Sequence, residues 1–219
     1  MARIDDYRES FRLAAQELVK GDLPRIAEMS GADMAILEDG ACRLRVLFFG
    51  SPYWVQVREG VEVIREGWNA EVSLPEKILL CHYLLHAHDE PVRDELITFR
   101  DIPDGHFYFE AFQRRARDPF LSTFGWNGKL YRACAGDLGG TPVENGDVGM
   151  SFRVLPRITI QIVLWEGDEE LPPEATILFD TSIRRRLPAE DIVVLSGMLV
   201  YRLIGIAGSR RLEVSGPST

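Results

Sequence analysis

Residues 41–65 constrain the fold more than any other part of the chain. In residues 41–49, Leu44, Val46 and Phe48 alternate with Arg43 and Arg45, the period-two pattern of a strand with one buried face. Gly50-Ser51-Pro52 then turns the chain into residues 53–58, and Glu59-Gly60 turns it into residues 61–65. Connections this short join antiparallel strands, because a parallel return needs a crossover of a dozen or more residues. Residues 157–165 repeat the pattern with Ile158, Ile160, Ile162 and Leu164, and residues 175–179 follow after Pro172-Pro173. The two groups of strands are expected in one sheet.

Helical patterns separate the strands. Ile4, Tyr7, Phe11, Ala14, Ala15 and Leu18 recur every three or four residues, with Gly21 placed as a C-terminal glycine. Asp22 is the candidate N-cap of a second, short helix, so residues 1–31 read as a helical arm. Ser73-Leu74-Pro75-Glu76 has the form of a capping box, a serine answered by a glutamate three residues on. The helix behind it, to about residue 88, is apolar nearly all round (Ile78, Leu79, Leu80, Tyr83, Leu84, Leu85) and should be buried. Residues 96–100 read as a strand, Pro103-Asp104-Gly105 as a turn and 106–117 as a helix. Residues 118–150, glycine-rich and irregular, read as a long loop. Leu187-Pro188-Ala189-Glu190-Asp191 opens the last helix, its carboxylates suited to the N-terminal dipole, and residues 209–219 read as an irregular tail. No regular βαβ unit and no linker is present. The expectation is one α+β domain over residues 1–219, a mostly antiparallel sheet packed with helices.

Charge and cysteine usage narrow the partners and the compartment. A net charge of −9 argues against nucleic acid and anionic membranes, which need a basic face. The longest uncharged apolar run, residues 192–201, falls short of the roughly 20 residues that cross a bilayer. Cys42, Cys81 and Cys134 are too scattered for a thiolate zinc site or a disulfide framework, and charges at Arg3, Asp5 and Asp6 break any signal peptide. A cytoplasmic protein is expected. No G-x-G-x-x-G, no G-x-x-x-x-G-K-[ST] and no G-x-S-x-G occurs, so nucleotide cofactors and a hydrolase elbow have no support.

Three constellations carry chemistry. His82 and His86 stand four apart on the predicted helix, so they share a face and can ligate one divalent metal given a third ligand from elsewhere; the bland alternative is hydrogen-bonded histidines at a helix end. His88 lies off that face, and Cys81 beside His82 makes no dyad, since helix neighbours do not face each other. The acidic turn after Trp165 holds Glu166, Asp168, Glu169 and Glu170, able to bind a hard cation or to raise one another's pKa, or else simply solvated. In a hairpin of residues 157–165 and 175–179, Asp180 falls at the opposite end and would cap the turn at Thr181-Ser182. Arg114, Arg115, Arg117 and Arg184, Arg185, Arg186 suit phosphate or carboxylate, or balance the acidic surface.

Trp165-Glu166-Gly167-Asp168-Glu169-Glu170-Leu171-Pro172-Pro173, Ile177-Leu178-Phe179-Asp180-Thr181-Ser182 and Leu187-Pro188-Ala189-Glu190-Asp191 together resemble a bacterial domain-of-unknown-function family, the one numbered thirty-seven eighty-six. His82-Tyr83-Leu84, Phe99-Arg100 and residues 105–112 extend the resemblance over most of residues 75–200. The resemblance implies an origin among anaerobes and sulfate or metal reducers. It marks His82, Trp165, Gly167, Asp168, Glu169, Glu170, Asp180 and Glu190 as defining positions, with departures at Leu171 and Ala189. Some members carry a cysteine-rich iron–sulfur segment; this chain has none, so electron transfer finds no support. The family is uncharacterised and brings no activity.

Three readings follow. The favoured one is a small-ligand or cofactor-binding module of anaerobic metabolism, with ligand contacts from His82, Trp165, Asp168, Glu169, Glu170 and Asp180. The second is an enzyme using His82, His86 and the acidic turn around a divalent ion. The third is an interaction or assembly protein without a pocket, for which a homo-oligomer stays open.

Overall fold

The computed structural model describes residues 4–91, 93 and 95–214, with side chains as far as residue 210. In chain order the elements are α1 (Ile4–Val19), α2 (Leu23–Ser30), β1 (Asp33–Ile36), β2 (Cys42–Phe48), β3 (Ser51–Val57), β4 (Val61–Arg65) and α3 (Leu74–Leu85). Then come β5 (Leu96–Thr98), a 3-10 turn (Phe99–Asp101), α4 (Gly105–Phe112), a π-helical turn (Gln113–Arg117), α5 (Asp118–Phe124) and α6 (Gly128–Asp137). The chain continues through β6 (Thr141–Val143), β7 (Val148–Leu155), β8 (Ile158–Trp165), β9 (Glu174–Asp180), α7 (Ile183–Arg186) and α8 (Ala189–Val214). The architecture is α+β, with helices packed on antiparallel sheets. The strands form two sheets rather than the one expected. Hydrogen-bond partners, which local alternation does not encode, separate them. The chain divides into two compact units, the first made of residues 1–93, 154–158 and 182–188, the second of the remainder.

In the first unit the meander forms as its turns require, in the order β1-β2-β3-β4. Cys42, Leu44, Val46 and Phe48 are buried on one face of β2. The turn between β2 and β3 is Phe49-Gly50, one residue earlier than expected, and both residues have positive φ (49° and 73°). That is the twist a two-residue hairpin needs, and glycine supplies half of it without strain. Asp22 caps α2 by accepting the Arg25 N–H, and Gly31 closes that helix in the left-handed region. The Glu76 carboxylate accepts from both the N–H and the hydroxyl of Ser73, completing the capping box of α3. Ile78, Leu79, Leu80, Tyr83 and Leu84 are buried, as an all-round apolar helix demands. Tyr83 joins distant segments: its hydroxyl donates to the Ser30 carbonyl at 2.5 Å and accepts from the Arg157 N–H at 3.0 Å. Arg186 is buried rather than part of a surface cluster, donating to Ser182 Oγ and to the Glu90 carbonyl, while Arg185 reaches the Glu90 carboxylate.

In the second unit the sheet runs β5-β9-β8-β7-β6. β8 and β9 are the expected hairpin, with Trp165 opposite Glu174 and Ile160 opposite Phe179. Residues 118–150 are not a loop. Pro119 opens α5 and the Asn127 side chain caps α6 by accepting from the Leu130 N–H. Phe120, Phe124, Tyr131 and Cys134 are buried at helical spacing, and the glycines lie mostly between elements rather than dissolving them. Val148, Met150, Phe152 and Val154 alternate inward along β7, another strand that the glycines masked. The expected helix over residues 106–117 closes its last turn as a π-helix, with the Asp118 N–H bonded to the Gln113 carbonyl.

α8 continues to Val214, so residues 209–214 are helical where an irregular tail was expected; residues 215–219 lie outside the described residues, as do residues 1–3 of the expected arm. Residues 189–210 are long and apolar enough to cross a membrane by length and composition, and half of their strongest apolar window is buried within the protein. That burial comes from α4, α5, α6 and the π-helical turn packed along the helix. Arg210 on α8 meets Asp137 on α6 at 2.7 Å.

Candidate functional site

The acidic turn is stitched to its neighbours by backbone groups. The Glu166 N–H donates to Asp147 Oδ2 at 2.7 Å and the Gly167 N–H donates to the Gly125 carbonyl at 3.0 Å. Asp168 Oδ1 accepts from the N–H groups of Glu170 and Leu171, both at 2.8 Å, and the Asp168 N–H donates to the Leu171 carbonyl. The Leu171 and Glu170 N–H groups hold the Asp168 carboxyl below its ordinary range, because they bond the charged form. A side chain on Gly167 would stand 2.7 Å from Pro173 Cδ and 2.8 Å from Trp126 Cζ3. Gly167, Asp168 and Pro173 therefore shape a fastened loop. Glu166, Glu169 and Glu170 are exposed on it, as are Trp126, Trp165 and Leu171.

The histidines sit differently from the helical trio expected. His82 is in α3, His86 is its C-cap and His88 lies beyond it, because the helix ends at Leu85. The His82 and His86 rings are 6.0 Å apart, His82 half-buried and His86 exposed. His88 Nδ1 accepts from the Glu90 N–H, and its pKa is lowered by burial and by Arg186 and Arg185. Burial pushes the Cys81 thiol up to about 12, which disfavours the thiolate at neutral pH. Among the described residues no three His, Cys, Asp or Glu side chains gather closely enough to hold a metal ion. His82 and His86 belong to the first unit; Trp165, Asp168, Glu169, Glu170 and Asp180 belong to the second. Within the second, the acidic turn and Asp180 lie at opposite ends of the β8–β9 hairpin, with Asp180 buried opposite Leu96.

A concave site in the second unit lies elsewhere. A cavity of about 290 Å³ opens between the start of β9, the 3-10 turn, α4 and the π-helical turn. Phe99 and Phe112 form one wall, stacked at 4.3 Å with their planes 4° apart. Phe109 forms another, and the Arg100 guanidinium lies 4.1 Å over its ring. Arg117, from the π-helical turn, grips Glu174 with one terminal nitrogen 2.6 Å and 2.7 Å from the two carboxylate oxygens. That pairing raises the Arg117 pKa, and Nε adds a bond at 3.2 Å. Gly105 lets α4 start against this wall: a Cβ there would stand 2.3 Å from the Phe99 carbonyl oxygen. Phe99-Arg100 and residues 105–112 were legible as part of a family pattern, but nothing local showed that β9 would face them.

A single family model spans residues 22–202, from the cap of α2 into α8. The chain belongs to the family described as Domain of unknown function (DUF3786). No curated protein and no solved structure matches it. The DUF3786 match takes in the acidic loop, the histidines and every residue that lines the cavity, and leaves α1 outside. For the DUF3786 string around Gly167, the close contacts at Trp126 and Pro173 supply a packing reason for the glycine and the proline.

Proposed function

We propose that this chain is a cytoplasmic module that binds a small, largely apolar molecule in the cavity of the second unit. The observation that carries the reading is the cavity itself, an open concavity of about 290 Å³ with three aromatic side chains and two guanidinium groups in its lining. Ligand sites are typically concave and carbon-lined, with few polar groups that set orientation. Its volume lies at the small end of the usual range of roughly 300–1,000 Å³, which selects a ligand smaller than a drug. Three buried, free cysteines support a reducing compartment. Thr176 lines the cavity and is half-buried, so Thr176→Trp or Thr176→Phe fills it from the sheet side. A fragment library screened by thermal shift should yield compounds that stabilise the natural chain and leave Thr176→Trp and Thr176→Phe unmoved. The proposal fails if no fragment acts, or if both filled variants respond like the natural chain.

A second reading, a partner-binding surface, is favoured by one observation. Trp126, Trp165 and Leu171 are 62%, 44% and 67% exposed on or beside the acidic loop. Large apolar side chains at an acidic rim suit a basic partner. Loss of a co-purifying partner in Trp126→Ser/Trp165→Ser, with the fold intact, would support it.

A further inference from the structure

From the charges around the cavity we infer the class of its ligand: a flat, apolar monocarboxylate whose carboxylate pairs with Arg100. The inference rests on the cavity being the ligand site. Three ionisable side chains line it, Arg100, Arg117 and Glu174. Two of them satisfy each other, because Arg117 and Glu174 form a forked pair at 2.6 Å and 2.7 Å. Arg100 is different. Its guanidinium carbon lies 4.1 Å over the Phe109 ring, its side chain is exposed, and no ion pair joins it to a carboxylate among the described residues. The lining thus carries one positive charge that no described carboxylate pairs.

Phe109 covers one side of that cation. The Arg100 side chain is otherwise exposed, and a guanidinium offers N–H donors that a carboxylate oxygen can meet. Thr98 lines the cavity too, but its hydroxyl and N–H are already given to Asp101, at 2.7 Å and 2.9 Å. Thr98 therefore does not compete for the anion. The side chains of Phe99, Phe112 and Phe109 give the cavity carbon walls, which suit a planar, carbon-rich body. A dianion would leave its second charge against Glu174 or the carbon walls, so one carboxylate is the match.

The test compares 2-naphthoate with its neutral counterpart 2-naphthamide, by calorimetric titration of the full chain. Naphthoate should bind about tenfold tighter or more, the size of one charge-assisted hydrogen bond. Arg100→Gln should abolish that preference while the amide binds as before, and Arg100→Lys should restore part of it. Glu174→Gln, which takes the carboxylate from Arg117 and leaves a second positive charge in the lining, should widen the preference for naphthoate. Equal binding of the two probes, or a preference that survives Arg100→Gln, overturns the ligand class and leaves the cavity reading standing. If neither probe binds and the fragment screen is also silent, both fall. If fragments bind at the cavity while naphthoate does not, only the ligand class falls.

Discussion

Gly105→Ala tests the wall of the cavity, because two opposed effects meet at one atom. Gly105 begins α4 and is buried, and its φ is not positive, so alanine has no dihedral penalty there. Considered alone, Gly→Ala should stabilise by about 0.4–1 kcal/mol, by reducing the freedom of the unfolded chain. Against this, the new Cβ would stand 2.3 Å from the Phe99 carbonyl oxygen, where real contacts essentially never fall under 3.0 Å. The atom it meets is backbone, in a turn whose side chain is 1% exposed and stacked on Phe112, so it has nowhere to retreat. Overpacking of this kind costs about 1–3 kcal/mol. The clash wins, and the net loss should be about 1–2 kcal/mol, a fall in Tm of about 2–8 °C for a chain of this size. Gly205→Ala is the control of sign: Gly205 is exposed on α8 with nothing within 4 Å of its missing Cβ. It should gain about 0.5–1 kcal/mol. Scanning calorimetry of the three chains measures both. A Gly105→Ala chain as stable as the natural one, beside a stabilised Gly205→Ala, would refute the close approach that shapes the cavity.

Two further outcomes follow from buried and backbone-bonded groups. Tyr83→Phe removes one hydroxyl that serves the Ser30 carbonyl and the Arg157 N–H, and urea unfolding should show a loss of about 1–3 kcal/mol. Asp168 has a folded pKa below its ordinary 3.8, so its contribution is complete above that value and disappears as pH falls through the folded one. Thermal melts over an acid series should show the Asp168→Asn chain closing its gap to the natural chain below that pH, and a gap constant with pH would contradict the assignment.

Much of the local structure was legible in the residues. The alternation of Leu44, Val46 and Phe48, the Ser73–Glu76 box and the Asp22 cap each act within a few residues, and each stands where the pattern placed it. The errors have physical causes as well. Glycines in residues 118–150 read as a loop, although Phe120 with Phe124 and Tyr131 with Cys134 already carried helical spacing. The histidine trio assumed a helix that ran to residue 88, but α3 stops at Leu85 and leaves only His82 within it. The acidic string was legible as a distinctive loop; that Asp168 spends its carboxylate on Glu170 and Leu171 depends on loop geometry that composition does not express.

By itself the sequence determined the α+β class, the antiparallel meander and the caps, because turn length, period and hydrogen-bonding side chains are properties of neighbours in the chain. The tertiary structure alone decided that the strands divide into two sheets, and that Thr98–Arg100, Phe109–Arg117 and Glu174–Ile177 line one cavity. Those segments meet because β5 pairs with β9, setting Thr98 against Leu178. Such pairing is chosen by the burial of whole faces against one another, a sum over distant residues that no local pattern carries. The same meeting leaves Arg117 paired to Glu174 and Arg100 laid on Phe109, and so sets the charge of the site.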